Sequence, residues 1–280
     1  MGMYISFGGK TIECKDAEIT VTGDLVVKDI TDIESNPTES KYNNFCKKYN
    51  KSSEKNKIVE IGNSKIYIPL YKTDLIQSCI SRGQYFDRGH LDIMSKYIKK
   101  GDTVVDIGAN IGNHTLYFAN ECHAGKIYSF EPIPKTFEIL EKNIEINNLQ
   151  DIVTLHNVGL ADNNTNGAIR GWDKTNIGGT RLGIATKNDK KTIPLRTLDS
   201  IDIPEKINFI KIDVEAMDTY VLRGAINRIK KDKPVIEMES FPEERVESEA
   251  ILKSLGYKLE LELGNFEYLY VYDKKVRKHV

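Results

Sequence analysis

The sequence predicts an α/β fold: a mostly parallel, Rossmann-like sheet covered by helices on both faces, with an antiparallel last strand and a small β-containing extension at the N-terminus. Three observations carry this. Apolar runs of strand length alternate with amphipathic helical stretches from about residue 103 to residue 255, the rhythm of a parallel sheet with right-handed crossovers. The first run, Thr103–Ile107, leads into a glycine-rich turn, Gly108-Ala109-Asn110-Ile111-Gly112, and then a helical pattern. Strand, tight turn and helix in that order form a ligand site at the carboxyl edge of an open sheet. The last two apolar runs flank Gly264-Asn265 and read as an antiparallel hairpin.

Residues 1 to about 30 alternate weakly, at 4–7, 18–21 and 24–27, with Gly8-Gly9 and Gly23-Asp24 as turns, which predicts short strands. Residues 31–57 are polar and carry a basic cluster from Lys47 to Lys57. They read as a loop or short helix with a solvated face. This divides the chain into an extension, 1–57, and a main domain, 58–280. A hairpin follows at 58–61 and 65–68 across Gly62-Asn63. Asp87 is placed to cap a helix running to Lys100, with Leu91, Met94, Tyr97 and Ile98 as its apolar stripe and Gly101 as its stop. The later strands fall at 126–130, 152–157, 192–198, 207–212 and 235–238. Helices fall after Pro134, at 218–230 and at 243–255. The stretch 159–183 is rich in Gly and Asn and reads as a long functional loop.

Lys plus Arg number 40 against 41 Asp plus Glu, a balance that does not favour nucleic acid. No apolar run is long enough to span a bilayer, and no apolar leader opens the chain, which predicts a cytoplasmic protein. Cys14, Cys46, Cys79 and Cys122 lie far apart and read as free thiols. Exposed edges of the N-terminal strands make a homo-oligomer a further expectation.

The glycine turn does not meet the dinucleotide pattern, because Asn110 stands at the second glycine position and Asn113 at the third. What it presents is D-x-G-x-N-x-G from Asp106 to Gly112. Glu131 follows the apolar end of the second strand, where an acid can accept hydrogen bonds from both hydroxyls of a ribose. Asn157 ends the third strand, and an amide can both donate to and accept from an adenine edge.

Three segments together resemble the FkbM family of S-adenosylmethionine (SAM)-dependent O-methyltransferases. They are Asp106 to Gly112; Phe130-Glu131-Pro132 with the helix to Asn148; and Leu198-Asp199 with Ile210-Lys211-Ile212-Asp213-Val214-Glu215 and Val221-Leu222-Arg223-Gly224-Ala225. The match runs from about residue 58 to about residue 272. It implies the class I methyltransferase sheet, SAM as methyl donor, and a hydroxyl acceptor on a sugar or secondary metabolite. By position, Asp106, Gly108, Asn110, Gly112, Glu131, Asn157 and Asp213 would form the cofactor site. The chain departs from the family at Ala216-Met217-Asp218, where a glycine, a small residue and a glutamate are usual.

An alcohol is a weak nucleophile, so its proton must leave as the methyl arrives. A positioned base typically contributes about 10²–10⁴-fold. Four acids fall at the ends of the fourth and fifth strands: Asp213, Glu215, Glu237 and Glu239. Asp213 is the leading candidate for the base or for steering the acceptor, Glu239 the second, and His114 an alternative. Glu215 would anchor or cap the turn before the helix. Glu215 and Glu237, with Trp172 and Asn176 from the 159–183 stretch, are candidates for holding the acceptor, Trp172 by stacking on a sugar face. The acids could also hold Mg²⁺ or Mn²⁺. The sequence thus reads as an O-methyltransferase acting on a carbohydrate or glycan, the small-molecule partner. An RNA, nucleotide or secondary-metabolite methyltransferase, and an inactive SAM-binding protein, are the alternatives.

Overall fold

The computed structural model describes residues 3–7, 10–15, 18–21, 57–264 and 266–273. The predicted strand at 24–27 and nearly all of the polar segment 31–57 lie outside them. The chain divides into two units, Met1–Glu34 and Ser35–Val280. The first holds β1 (Met3–Phe7), β2 (Lys10–Lys15) and β3 (Glu18–Val21), paired antiparallel in that order. The alternation at 4–7 and 18–21 anticipates the outer two strands.

The second unit opens with the hairpin β4 (Ile58–Ile61) and β5 (Ser64–Tyr67), turned at Gly62 in the left-handed region. A short helix α1 (Leu75–Ile80) is capped by Asp74, whose Oδ1 accepts from the Gln77 N–H at 2.9 Å. Helix α2 spans only Arg88–Met94, and the Asp87 side chain does not cap it. Asp87 itself is left-handed at φ 54°, which turns the carboxylate away from the helix end.

The central elements follow: β6 (Thr103–Ile107), α3 (Asn113–Asn120), β7 (Lys126–Phe130), α4 (Pro134–Ile146) and β8 (Val153–His156). The stretch read as a loop is instead a small sheet. It contains β9 (Gly159–Leu160), the hairpin β10 (Thr165–Asp173) and β11 (Asn176–Ile184), and β12 (Ile193–Arg196), ordered β11-β10-β12-β9. Its glycines mask a strand pattern, since Ala168, Ile169, Ile177 and Thr180 are buried between them. Asp173 makes the reversal by accepting from the Thr175 N–H at 2.7 Å.

After β13 (Phe209–Ile212), the helix predicted at 218–230 is two: α5 (Asp218–Arg223) and α6 (Ile226–Asp232). The break falls at Gly224, where a Cβ would lie 2.0 Å from the Ala161 carbonyl oxygen. The chain ends its described course with β14 (Val235–Glu239), α7 (Pro242–Ser254), β15 (Tyr257–Gly264) and β16 (Glu267–Tyr272).

Seven strands form the main sheet in the order β15-β16-β14-β13-β6-β7-β8. The run β14 to β8 is parallel, and β16 joins β14 antiparallel. This is the mostly parallel sheet with an antiparallel last strand that the alternation predicts. Neighbouring strand residues serve opposite faces. Val104 and Phe209 pack with α2, α3 and α4, whereas Val105 and Ile210 pack with α5, α6 and α7. Both faces are covered, so β6 is buried at every position.

The turn after β13 carries backbone strain. Glu215 and Ala216 both take left-handed dihedrals, φ 52° and 73°, which cost an L-residue roughly 1–2 kcal/mol each. A glycine at 216 would relieve one of them. We expect Ala216→Gly to stabilise the protein by about 1 kcal/mol despite the entropy glycine adds to the unfolded chain. Urea melts of the two proteins would show it as a raised midpoint at unchanged slope.

Candidate active site

The strand order reverses direction between β6 and β13, and a cavity of about 260 Å³ opens at the carboxyl ends of the strands there. One side of it is built by the glycine turn. Gly108 takes φ 78°, and a Cβ there would lie 1.7 Å from the Asp213 carbonyl oxygen. Only glycine lets the turn pass so close to the exit of β13. The turn then presents its N–H groups to Glu131. The Asn110 N–H donates to Glu131 Oε2 at 2.9 Å, and the Ile133 N–H donates to Oε1 at 2.8 Å. Each carboxylate oxygen keeps acceptor capacity on the cavity side. Burial pushes Glu131 up to about 7 against the pull of those two N–H groups.

These residues fit a nucleoside. Glu131 lines the cavity at the end of β7, next to an apolar wall of Phe130, Ile133, Val158, Leu160 and Leu195 that suits a planar base. Asn110 Oδ1 is buried without a protein hydrogen-bond partner. A ligand that donates a hydrogen bond would satisfy it.

Other residues expected at the cofactor stand behind this wall. Asp106 is fully buried in β6, where its carboxylate accepts from Thr115 Oγ1 at 2.6 Å and faces Lys211 Nζ at 3.4 Å. Gly112 begins α3 at φ 91° against Leu140. Asn157 donates from Nδ2 to the Glu131 carbonyl oxygen at 2.8 Å, so its amide is turned to the backbone, and Val158, Gly159 and Leu160 line the cavity at that strand end. None of the three lines the cavity itself.

The opposite side is acidic. Asp213, Glu215 and Glu239 line it, and one oxygen from each falls within 4.8 Å of the others. Glu267 joins them because β16 pairs Glu267 directly with Glu239. Asp87 completes the ring from the loop before α2. Glu267 carries no sequence signal, since its place depends on the register of a closing hairpin. Burial first, then the neighbouring acids, push Glu239 up to about 8, and burial with Asp87 and Asp213 does the same to Glu267. His90 contacts Glu267 through Nδ1 and Leu263 O through Nε2. Glu215 caps no helix. It points into the cavity, 3.8 Å from Arg181 Nε.

Three further candidates stand apart from this cluster. Glu237 is buried in β14 opposite Lys211 and does not reach the cavity. Burial and Glu267 push it well above the ordinary carboxylate range. His114 is half-buried off the cavity, and burial with the Lys211 charge depresses it to about 3, which makes it a poor proton acceptor. Trp172 packs against Ile133, Ile169 and Ile193 rather than over the cavity. Asn176 does line it, together with Ile177, Gly178 and Gly179 of the same strand. Strand β11 is held there by Asp74, whose Oδ2 accepts from the Ile177 N–H at 2.9 Å.

The methyltransferase FkbM domain is matched over residues 106–259, more than half of the chain. The chain belongs to the FkbM methyltransferase family. Methyltransferase 1 of Beauveria bassiana is 25% identical over 183 residues, covering 57% of this chain and 73% of that protein. The hexuronic acid methyltransferase AglP of Haloferax volcanii is 26% identical over 153 residues, covering 53% of this chain and 62% of its own length. An FkbM methyltransferase structure from Methylobacillus flagellatus KT has a TM-score of 0.47 at 22% identity, covering 61% of this chain and 44% of that one. The chain therefore spans less than two thirds of some relatives it resembles. Among the described residues of this FkbM methyltransferase, no helix is long and apolar enough to cross a membrane.

The raised carboxylates make this methyltransferase's stability depend on pH. Glu131, Glu239 and Glu267 hold protons more tightly folded than at their ordinary value of 4.5. Folding then takes up protons between about pH 4.5 and pH 8, and stability falls as pH rises through that window. We expect the ligand-free protein to melt at a lower temperature at pH 8.5 than at pH 5.5, and Glu239→Gln to narrow that gap. Equal gaps in both proteins would show that Glu239 is not a source.

Proposed function

We propose that the protein transfers a methyl group from SAM to a hydroxyl of a neutral, polyhydroxylated acceptor, a carbohydrate or glycan, and that residues 58–280 carry this activity. The observation that supports this acceptor is the charge of the cavity. Among the described residues, the ionisable side chains that line it are Asp87, Glu131, Asp213, Glu215, Glu239 and Glu267, all acids. Carboxylates are good acceptors for sugar hydroxyls, and they repel an anion. The relative AglP is a hexuronic acid methyltransferase, which supports a sugar. The wall of acids argues for a ring without the carboxylate.

In this reading the Glu131 carboxylate holds the ribose hydroxyls, the Asn110 amide accepts from the nucleoside, and the apolar wall packs on the base. SAM supplies a methyl carbon bonded to a sulfonium, which leaves as a neutral thioether. Asp213 accepts a hydrogen bond from a neighbouring hydroxyl of the acceptor and so aims the reacting oxygen. Glu239, raised to about 8, is the better-matched base and takes the proton. Positioning of this kind can contribute up to roughly 7–11 kcal/mol. Asn176 and Glu215 hold the rest of the acceptor.

A divalent cation is the second reading, because Asp213, Glu215 and Glu239 have a spacing a hard cation accepts. Lys211 Nζ already sits 3.3 Å from Asp213 Oδ2 and supplies positive charge at that point, which favours the metal-free reading.

Calorimetric titration of SAM and of its demethylated product, each with and without Mg²⁺, tests the donor site. Saturable binding lost in Glu131→Ala is expected, and no binding to folded protein would remove the reading. Transfer from labelled SAM should then be seen with neutral methyl glycosides and be at least tenfold weaker with hexuronates. The reverse order would overturn the neutral acceptor. Turnover should rise with pH to a plateau above about 8, as Glu239 loses its proton, and Glu239→Gln should abolish the rise.

A further inference from the structure

The ammonium of Lys211 is buried, 3% exposed, in the middle of the main sheet. It lies opposite Asp106 in β6 and Glu237 in β14, so three charged side chains occupy one level of three adjacent strands. Its Nζ donates to the Gly108 carbonyl oxygen at 2.9 Å and lies 3.3 Å from Asp213 Oδ2 and 3.4 Å from Asp106 Oδ1. Among its acidic neighbours, Asp213 alone reaches the cavity.

We infer that Lys211 is a positioning residue for methyl transfer, acting through Asp213, and that it ties the donor turn and the acceptor-side carboxylate to one buried charge. This rests on the function proposed above. The Asp213 side chain is 42% exposed, and among the described residues no side chain other than Lys211 donates to its carboxylate. Glu215, Glu239 and Glu267 surround it, and each of them repels it whenever ionised. Left alone, those neighbours would drive it toward solvent. The Lys211 ammonium draws it back to the cavity wall. Burial works against the charged lysine, yet Asp213, Asp106 and Glu237 together outweigh it and raise the group, so the ammonium stays charged. The same nitrogen fixes the carbonyl of Gly108, the first glycine of the donor turn. The distance between the donor turn and Asp213 is thereby set by one atom that contacts neither ligand.

Removing Lys211 alone would strand Asp106 as a buried unpaired charge, so Asp106→Asn is the background for the test. The full chain would be prepared as D106N, as D106N with Lys211→Met, and as D106N with Lys211→Gln, each alone and combined with Asp213→Asn. Gln keeps a donor for the Gly108 carbonyl and removes the charge. Melting curves establish that each variant is folded. Calorimetry with SAM reads the donor site. Turnover is read with labelled SAM and methyl α-glucopyranoside, or the neutral glycoside from the screen that turns over fastest. Crystal structures of the Lys211 variants read the place of Asp213.

With Lys211→Gln we expect kcat at least tenfold below D106N, while SAM affinity and acceptor KM each change less than threefold. The Asp213 carboxylate should leave the cavity wall. In the Asp213→Asn background the same change should cost no more than twofold. Asp213 in its original place with kcat within twofold would overturn the inference. So would a full-size loss that persists after Asp213→Asn, since Lys211 would then act elsewhere. A wild-type protein that does not bind SAM would instead remove the functional reading, and the crystal structures would still decide whether Lys211 places Asp213.

Discussion

The structure depends on one buried positive charge. A parallel sheet covered on both faces is a poor place for an ammonium, and the chain keeps Lys211 there by setting Asp106 and Glu237 beside it on the neighbouring strands. Breaking such a buried pair by removing one partner typically costs about 3–5 kcal/mol. Yet the same set of charges could be replaced by apolar residues of similar volume at little cost to stability. Its value lies in what it arranges. The carbonyl of the glycine turn and the carboxylate at the start of the acceptor side both converge on that nitrogen.

From this centre the two halves of the cavity follow different physics. The donor half is a backbone device. The left-handed Asn110 brings its N–H onto Glu131, and the carboxylate is held by that group and by the Ile133 N–H. The acceptor half is an electrostatic device. Acids from a strand exit, a neighbouring strand, a closing hairpin and an upstream loop are buried and crowded together until several hold their protons near neutrality. A site that begins near its own titration point can give and take protons with little driving force, as general acid–base chemistry asks.

Much of this was legible in the sequence, and the limits have physical causes. Strands β6 and β7 could be bounded to the residue because continuous apolar runs in a doubly covered sheet leave no ambiguity. Glu131 and Asp213 could be singled out because each follows a strand end directly, and Asn110 because it stands inside the glycine turn. Asn157 and Trp172 stand at equally suggestive positions, but their side chains turn to a carbonyl and to a small apolar cluster. Sequence position fixes where a residue sits, and side-chain direction is settled by neighbours that are distant in the chain. Glu267 and His90 were missed for the same reason: a hairpin register and a helix some 170 residues upstream bring them together. The small sheet around β10 and β11 was obscured by its glycines, which break propensity but not pairing.

That small sheet has its own hydrogen-bonded order and enters the chain between β8 and β13 as a single insertion. Its cavity-facing strand is held from outside by the carboxylate of Asp74 and by the Leu75 N–H, which donates to the Thr175 carbonyl oxygen at 2.7 Å. This wall of the cavity is therefore a replaceable part. Its length, tip and outward side chains can be rewritten, provided the two upstream tethers find a backbone partner and Gly178, where a Cβ would lie 2.6 Å from Asn110 Nδ2, stays glycine. A lineage could in this way change what it methylates while the machinery that holds the methyl donor stays as it is.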